Sequence, residues 1–135
     1  MKPLNLHMRM DYTRAIFVTI LYRMMNEPLV NQFKYFTDID NSAYYSEAVT
    51  WAYENQIIKG TISTEFGPDI SITREQLVTI LYRYAVYMGY DVSTTTNISR
   101  YEDSDLVSDY ATSAMKWVVV FFSNNLIFWI YIVYI

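Results

Sequence analysis

One phrase of eleven residues occurs twice in the chain, and this internal repeat constrains the fold more than any other feature. Residues 13–23 read TRAIFVTILYR and residues 73–83 read TREQLVTILYR, with eight identical positions. A second phrase also recurs, since FTDIDNSAYYSEAVTWA at 36–52 is similar to YEDSDLVSDYATSAMKWV at 101–118. The two phrases alternate along the chain. This order predicts repeated supersecondary units that bury their apolar faces by packing on one another.

Each copy of the first phrase predicts a helix. In the later copy, apolar residues recur at helical spacing on one stripe, namely Leu77, Ile80, Leu81, Tyr84 and Met88. Thr73 is the predicted N-cap, Gln76 completes its capping box, and Gly89 is the predicted stop. Thr13 is the predicted cap of the earlier copy, where Ile16 takes the place of the glutamine.

Each copy of the second phrase predicts another helix after an acidic turn. In the first copy this helix is expected from about 46 to 56, with Trp51 on its apolar face. The stretch IIKGTISTEFGPDISI that follows contains two glycines and a proline, so we predict a turn-rich loop. The predicted fold class is therefore mainly α: loop-rich helix–loop–helix repeats packed around a helical bundle and incomplete at both ends.

Composition excludes several classes of function. The chain has 135 residues, a net charge of −4 and a pI of about 4.8, whereas nucleic-acid binding usually needs a basic face. It has no cysteine, and its single histidine, His7, belongs to no metal or triad pattern. The sequence shows no nucleophile elbow and no phosphate-binding glycine loop. We therefore expect no enzyme, no cofactor and no metal site.

The acidic turns form the one arrangement that resembles a cation site. Their carboxylates are Asp38, Asp40, Asp103 and Asp105. The surrounding loops lack the ligand density and the glycine spacing of a calcium-binding EF-hand. We predict that these carboxylates shape turns and cap helices.

An arginine directly follows the capping threonine in both copies of the first phrase. Arg14 and Arg74 would lie in the first helical turn, where the helix dipole disfavours a cation by roughly 0.3–1 kcal/mol. Two interpretations stay open. Such an arginine, together with free helix N–H groups, can hold a carboxylate or a phosphate. Alternatively it forms an ion pair within the chain, and the acidic residues near Arg74 in sequence are Glu65, Asp69 and Glu75.

The repeated tryptophans also allow two interpretations. We predict that Trp51 and Trp117 anchor the cores of their units, because each falls on the apolar face of its helix. A role in stacking on sugar rings is the alternative.

The C-terminal stretch VVVFFSNNLIFWIYIVYI, at 118–135, carries no charge and abandons the repeat pattern. We favour a frameshifted or truncated end. A membrane segment is an alternative, because the stretch approaches the length of a bilayer span, although SNN interrupts it. A buried strand or helix is the third interpretation.

Residues 36–77 resemble a repeat of the S-layer homology (SLH) family. The family pattern comprises a Phe-x-Asp start, an aromatic residue, a Trp-Ala helix, a glycine turn, a Phe-x-Pro step and an Ile-Thr-Arg motif. The corresponding residues here are Phe36, Asp38, Tyr45, Trp51, Ala52, Gly60, Phe66, Gly67, Pro68, Ile72, Thr73 and Arg74. The resemblance extends over about residues 11–118, as one complete repeat between two partial ones.

The resemblance implies a function and a set of ligand contacts. SLH domains usually hold three repeats in a pseudo-threefold bundle, and they anchor bacterial surface proteins non-covalently to secondary cell-wall polysaccharides, often pyruvylated ones. The Thr-Arg motif lies in the grooves that bind the polymer. The resemblance therefore implies contacts by Arg74, Thr73, Arg14 and Thr13, with Trp51 stacking on a sugar. It also implies an extracellular place in the cell wall or S-layer, although MKPLNLHMRM does not read as a signal peptide.

Three departures from the family pattern bear on these contacts. Glu75 replaces the alanine of the motif, and we expect it to pair with Arg74 and weaken the capture of an anion. Gln76 and Ile16 replace the glutamate of the motif. The residues before Tyr12 lack the Phe-x-Pro step.

The resemblance divides the chain into five predicted segments. These are an irregular N-terminal segment (1–12), the tail of a preceding repeat (13–35), a complete repeat (36–88), the start of a following repeat (89–117) and an atypical apolar tail (118–135). The favoured function is cell-wall anchoring. The alternatives are an assembly module that uses the apolar stripes of its incomplete repeats, including self-association, a membrane protein held by the tail, and a non-functional fragment.

Overall fold

Helices dominate the part of the chain that the computed structural model describes, residues 2–31 and 33–124. The elements in chain order are strand β1 (Arg9–Thr13), helices α1 (Arg14–Met24) and α2 (Ser46–Glu54), strand β2 (Ser71–Thr73), and helices α3 (Arg74–Tyr87) and α4 (Thr112–Asn124). Two short 3-10 turns, Ser104–Leu106 and Asp109–Ala111, precede α4. This content is compatible with the mainly α prediction.

Two helix ends follow the predicted local signals. Thr13 caps α1, because its hydroxyl accepts a hydrogen bond of 3.1 Å from the Ile16 amide. Gly89 follows α3 with a φ of 76°, and its amide bonds the Val86 carbonyl at 3.0 Å. The second-phrase helix α2 stops at Glu54, slightly before the predicted end, since the next turn closes on the Trp51 carbonyl.

The described chain divides into two compact units, each pairing a first-phrase helix with the second-phrase helix that follows it. The central unit comprises residues 9–73 and contains α1 packed on α2. The outer unit comprises residues 2–8 together with 74–124 and contains α3 packed on α4. These units cut across the predicted repeat boundaries at 35/36 and 88/89, because a helix packs on the next helix of the chain.

Both units build their core around the same aromatic pair. The Trp51 ring lies 5.5 Å from the Tyr22 ring in the central unit, and the Trp117 ring lies 5.7 Å from the Tyr82 ring in the outer unit. The two tryptophan side chains are 2% and 7% exposed. Their predicted role as core anchors is confirmed.

A two-stranded antiparallel sheet lies before the helices α1 and α3. In this sheet Arg9 pairs with Thr73 and Thr13 pairs with Ser71, so β1 bulges by two residues. Both strands run directly into a helix. The prediction of an irregular segment over 1–12 is therefore wrong for residues 9–12, which belong to β1.

The predicted apolar tail begins inside α4, which ends at Asn124. Val118 and Phe122 are 4% and 7% exposed, so this part of the tail is a packed helical element. Residues 125–135, on which the three interpretations chiefly depend, lie outside the described residues. Within the described part of the chain, no helix combines the length and the apolar character that crossing a bilayer demands.

Gly67 is expected to tolerate alanine less well than Gly89. Both have a positive φ, which costs an L-residue about 1–2 kcal/mol. A Cβ on Gly67 would also lie 2.8 Å from the Ile70 Cδ1 atom, whereas a Cβ on Gly89 meets nothing within 4 Å. Urea denaturation should show a larger loss of unfolding free energy for Gly67→Ala than for Gly89→Ala. Equal losses would contradict the tight packing of this turn.

Candidate functional site

The guanidinium of Arg14 holds the loop that follows α2. Its Nε donates to the Phe66 carbonyl at 3.0 Å and its Nη2 donates to the Lys59 carbonyl at 3.2 Å. Its Cζ lies 4.7 Å from the centre of the Phe66 ring. The residue is only 5% exposed. Arg14 therefore acts first as a structural residue, with its charge compensated by carbonyl dipoles and a ring face.

A carboxylate holds the same turn from its amide side. The Asp38 Oδ1 accepts from the Phe66 amide at 2.9 Å, and its Oδ2 accepts from the Gly67 amide at 2.8 Å. Arg14 thus donates to the Phe66 carbonyl, and Asp38 accepts from the Phe66 amide. This pair of contacts, which we name the turn clamp, explains why the pattern contains Phe-x-Asp, Phe-x-Pro and Thr-Arg together. It also confirms that Asp38 shapes a turn.

The first N–H groups of α1 and α3, which we expected to be free for an anion, are engaged by the chain itself. In α1 the Arg14 amide bonds the Ile70 carbonyl at 2.9 Å and the Ala15 amide bonds the Pro68 carbonyl at 3.1 Å. In α3 the Arg74 and Glu75 amides bond carbonyls of the N-terminal segment at 2.9 and 3.0 Å. A helix start needs partners for its N–H groups, and the loop carbonyls supply them here. The expectation of free N–H donors is wrong.

A second turn clamp in the outer unit uses the N-terminal segment in place of the loop. Arg74 Nη1 donates to the Leu4 carbonyl at 2.9 Å. The Asp103 carboxylate accepts from the Leu4 amide at 2.6 Å and from the Asn5 amide at 2.9 Å. Asn5 has a φ of 57°, as the glycine of the central turn has 75°. Residues 4–8 thus do in the outer unit what residues 66–70 do in the central unit.

Two features of the sequence obscure the equivalence of residues 4–8 and 66–70. The letters LNLHM and FGPDI share no residue, and asparagine replaces the glycine as the residue with positive φ. The bulge in β1 also adds two residues between the turn and Arg14. The available signal was Asn5. Once the two bulge residues are subtracted, it precedes Arg14 by the same number of residues as Gly67 precedes Arg74.

Arg74 lies in a more open environment than Arg14. It is half-buried, and its Nη2 lies 3.7 Å from the Met8 sulfur. Burial lowers the pKa of the Arg74 guanidinium, and the nearby Asp103 carboxylate raises it in part. Arginine stays protonated despite such a shift. Arg74 is therefore a permanent cation that is partly accessible to solvent.

Glu75 does not play the role that we expected. Its carboxylate is 2% exposed and accepts from the Ser108 amide at 2.6 Å, the Ser108 hydroxyl at 3.0 Å and the Tyr110 hydroxyl at 3.1 Å. Instead of weakening an anion site by pairing with Arg74, it fastens the start of α3 to the turn before α4. The positions that correspond to Glu75 and Ser108 in the central unit are Ala15 and Ala43. The signal that we missed is that both alanines of the central unit are replaced together, by a carboxylate and a hydroxyl that bond each other in the outer unit.

The two threonines and Trp51 are the other residues that we predicted to contact a ligand. Thr13 and Thr73 end the two strands, immediately before α1 and α3. Trp51 is buried against Tyr22, so its indole cannot stack on a sugar while the core is intact, and that part of the prediction is wrong. Among the residues that the structure describes, no group of three or more His, Cys, Asp or Glu side chains is arranged to hold a metal ion.

Comparisons with known proteins connect this geometry to a family. The model of the S-layer homology domain matches residues 35–78. An endoglucanase from Bacillus sp. (strain KSM-635) is 32% identical over 104 residues, covering 77% of this chain and 11% of the enzyme. The surface-layer 125 kDa protein of Lysinibacillus sphaericus is 27% identical over 84 residues, covering 62% of this chain and 7% of that protein. No solved structure matches the chain.

A third relative also matches the chain over only a small part of its own length. The exoglucanase XynX of Acetivibrio thermocellus is 28% identical over 104 residues, covering 76% of this chain and 9% of the enzyme. The chain thus spans about a tenth of the length of the curated relatives that it matches.

Replacing the Glu75–Ser108 pair by the alanine pair of the central unit should cost less than the single replacements suggest. We expect Glu75→Ala to lower the unfolding free energy by about 2–4 kcal/mol, because it removes a buried carboxylate that accepts three hydrogen bonds from Ser108 and Tyr110. Ser108→Ala should cost about 1–2 kcal/mol. The double variant should recover about 1–2 kcal/mol of the summed loss.

Denaturant unfolding of the four proteins measures this coupling, with Glu102→Ala as the control. Glu102 is an exposed carboxylate of the same unit, and its side chain makes no contact in the Glu75 cluster. Strictly additive losses would show that Glu75 and Ser108 do not act as one unit.

Proposed function

Because residues 35–78 belong to the S-layer homology family, we propose that this chain anchors a surface protein non-covalently to the bacterial cell wall. Domains of this family are cell-wall anchors in surface-layer and other cell-surface proteins. The family match is the single observation that carries the proposal. The proposed location is extracellular, in the cell wall or S-layer.

The ligand that we propose is an anionic secondary cell-wall polysaccharide of the pyruvylated kind. The chain itself is acidic, with a net charge of −4, so long-range electrostatic attraction does not favour its binding to a polyanion. Recognition then depends on local cations that can form charge-assisted hydrogen bonds with a carboxylate. The arginines of the two Thr-Arg pairs are the cations that the family pattern assigns to this task.

Within those pairs the contacts differ between the two copies. Arg74 is more accessible to solvent than Arg14, so we propose that it meets the carboxylate of the ligand, with the Thr73 hydroxyl beside it. Arg14 is 5% exposed and Thr13 caps α1, so their contribution to binding is to hold the turn in place. Trp51 supports the core beneath.

We propose that this chain does no chemistry on the polymer. S-layer homology domains are non-catalytic, and the two glucanases match over only 11% and 9% of their lengths. Any glucanase activity of such proteins belongs to parts that this chain does not match.

The proposal is tested by cosedimentation with Gram-positive sacculi, either intact or stripped of their secondary polymer. We expect the parent chain to bind intact sacculi only. Arg74→Ala should weaken binding by about tenfold or more, the equivalent of one charge-assisted hydrogen bond. Arg74→Lys should weaken it less, because it keeps the charge but loses the planar fork of donors.

Arg23→Ala is the matched control, since it removes one exposed arginine of the central unit whose ion pair with Glu27 spans 3.7 Å. It should bind like the parent chain. Thermal unfolding of each variant separates a loss of fold from a loss of binding. Equal binding to intact and stripped sacculi by a folded parent chain would overturn the proposal.

A further inference from the structure

Three aromatic side chains of the central unit form a partly exposed row. Phe33 is 62% exposed, Tyr53 is 39% exposed, and Tyr35 lies between them. The ring centres of Phe33 and Tyr35 are 4.8 Å apart, and those of Tyr35 and Tyr53 are 4.6 Å apart. We name this row the aromatic shelf. Large exposed rings in contact with one another are a typical feature of a binding surface.

The shelf is continuous with the core through Tyr53. Tyr53 meets Phe36 edge-on at 5.1 Å, and Phe36 lies 5.8 Å from Phe66. Phe36 and Phe66 are 3% and 0% exposed. The row of rings therefore runs from the surface to the ring that lies beneath the Arg14 guanidinium. A ligand that binds to rings held in this way loses little conformational entropy on the protein side.

Polar groups lie beside the shelf. The Glu54 Oε1 atom accepts from the Tyr35 hydroxyl at 2.9 Å and from the Asn31 amide at 3.1 Å. The exposed Lys34 lies between the first two rings in sequence. Exposed ring faces that are tilted by 54° and 40° to one another, with carboxylate and amide groups beside them, match a pyranose ring, which has apolar C–H faces and a rim of hydroxyl groups.

The shape of the neighbouring surface restricts how a ligand can bind. The cleft beside the shelf, lined in part by Ile39, Val49 and Thr50, has a volume of about 10 Å³. This is room for a single water molecule. The cleft is therefore too small to admit a sugar ring.

We propose that the aromatic shelf is a second glycan contact, which stacks on the face of a neutral sugar residue of a polysaccharide. The inference rests on the proposed cell-wall function but concerns different residues from the Thr-Arg pairs. A protein partner fits less well, because Glu54 and Asn31 place hydrogen-bonding groups beside the rings. The shelf binds the uncharged part of a polymer whose acidic group is bound elsewhere.

The test measures binding of two probes to the full chain. The first is soluble secondary polysaccharide released from Gram-positive sacculi, followed by calorimetry. The second is cellohexaose, a neutral oligosaccharide, followed by NMR of the tyrosine rings. Phe33→Ala and Tyr53→Ala should each weaken binding of the polysaccharide by about tenfold.

Two further variants make the test specific. Tyr44→Ala is the matched control, since Tyr44 is a 62% exposed aromatic of the same unit that lies outside the shelf. It should bind like the parent chain. Phe33→Leu keeps apolar bulk but removes the flat ring, so it should lose nearly as much binding as Phe33→Ala. A fully active Phe33→Leu would indicate a general apolar contact and overturn the stacking proposal.

Failure of this inference differs from failure of the proposed function. If the parent chain binds sacculi and polysaccharide but the shelf variants bind equally well, the shelf is not a glycan contact and anchoring stands. If the parent chain ignores sacculi but cellohexaose shifts the Tyr35 and Tyr53 resonances, the shelf is a sugar site and anchoring is wrong. Binding of neither probe, or concentration-dependent self-association that the shelf variants abolish, would overturn the inference.

Discussion

The turn clamp at Phe66 is the interaction on which the central unit depends. The loop between α2 and β2 has a single isolated bridge, Ile62 with Glu65, among its described residues. Its backbone groups therefore need other partners, because buried polar groups without them are costly. Asp38 supplies acceptors for two amides and Arg14 supplies donors for two carbonyls. In return, the carbonyls of Pro68 and Ile70 satisfy the first amides of α1.

This reciprocity accounts for an arginine at a place where the helix dipole disfavours it. The cost of a cation in the first turn is roughly 0.3–1 kcal/mol, whereas each hydrogen bond from a charged group contributes about 1.5–3 kcal/mol. The balance favours the arginine, even before any ligand is considered. A structural role and a ligand role are therefore not alternatives for a Thr-Arg pair. The guanidinium fixes the turn, and the degree of its exposure decides whether a ligand can also reach it.

The sequence was sufficient for the regular parts of the fold. Helical spacing located α1, α2 and α3, and the capping residues Thr13 and Gly89 located two of their ends. It was not sufficient where backbone conformation matters more than residue type. Asn5 takes a left-handed conformation that its residue type alone does not reveal, and the bulge in β1 shifts the spacing. Contacts of Glu75 with a turn 33 residues later lie beyond any local pattern.

Comparison of the two turns shows what the repeat preserves. FGPDI and LNLHM have no residue in common, but each presents two amides to an aspartate and a carbonyl to an arginine. What is repeated is the set of backbone contacts, and any residue that permits them is suitable. The side chains on the outside of each turn are then free to differ. Such a scaffold can keep its helices and clamps constant while the side chains on its exposed surface differ.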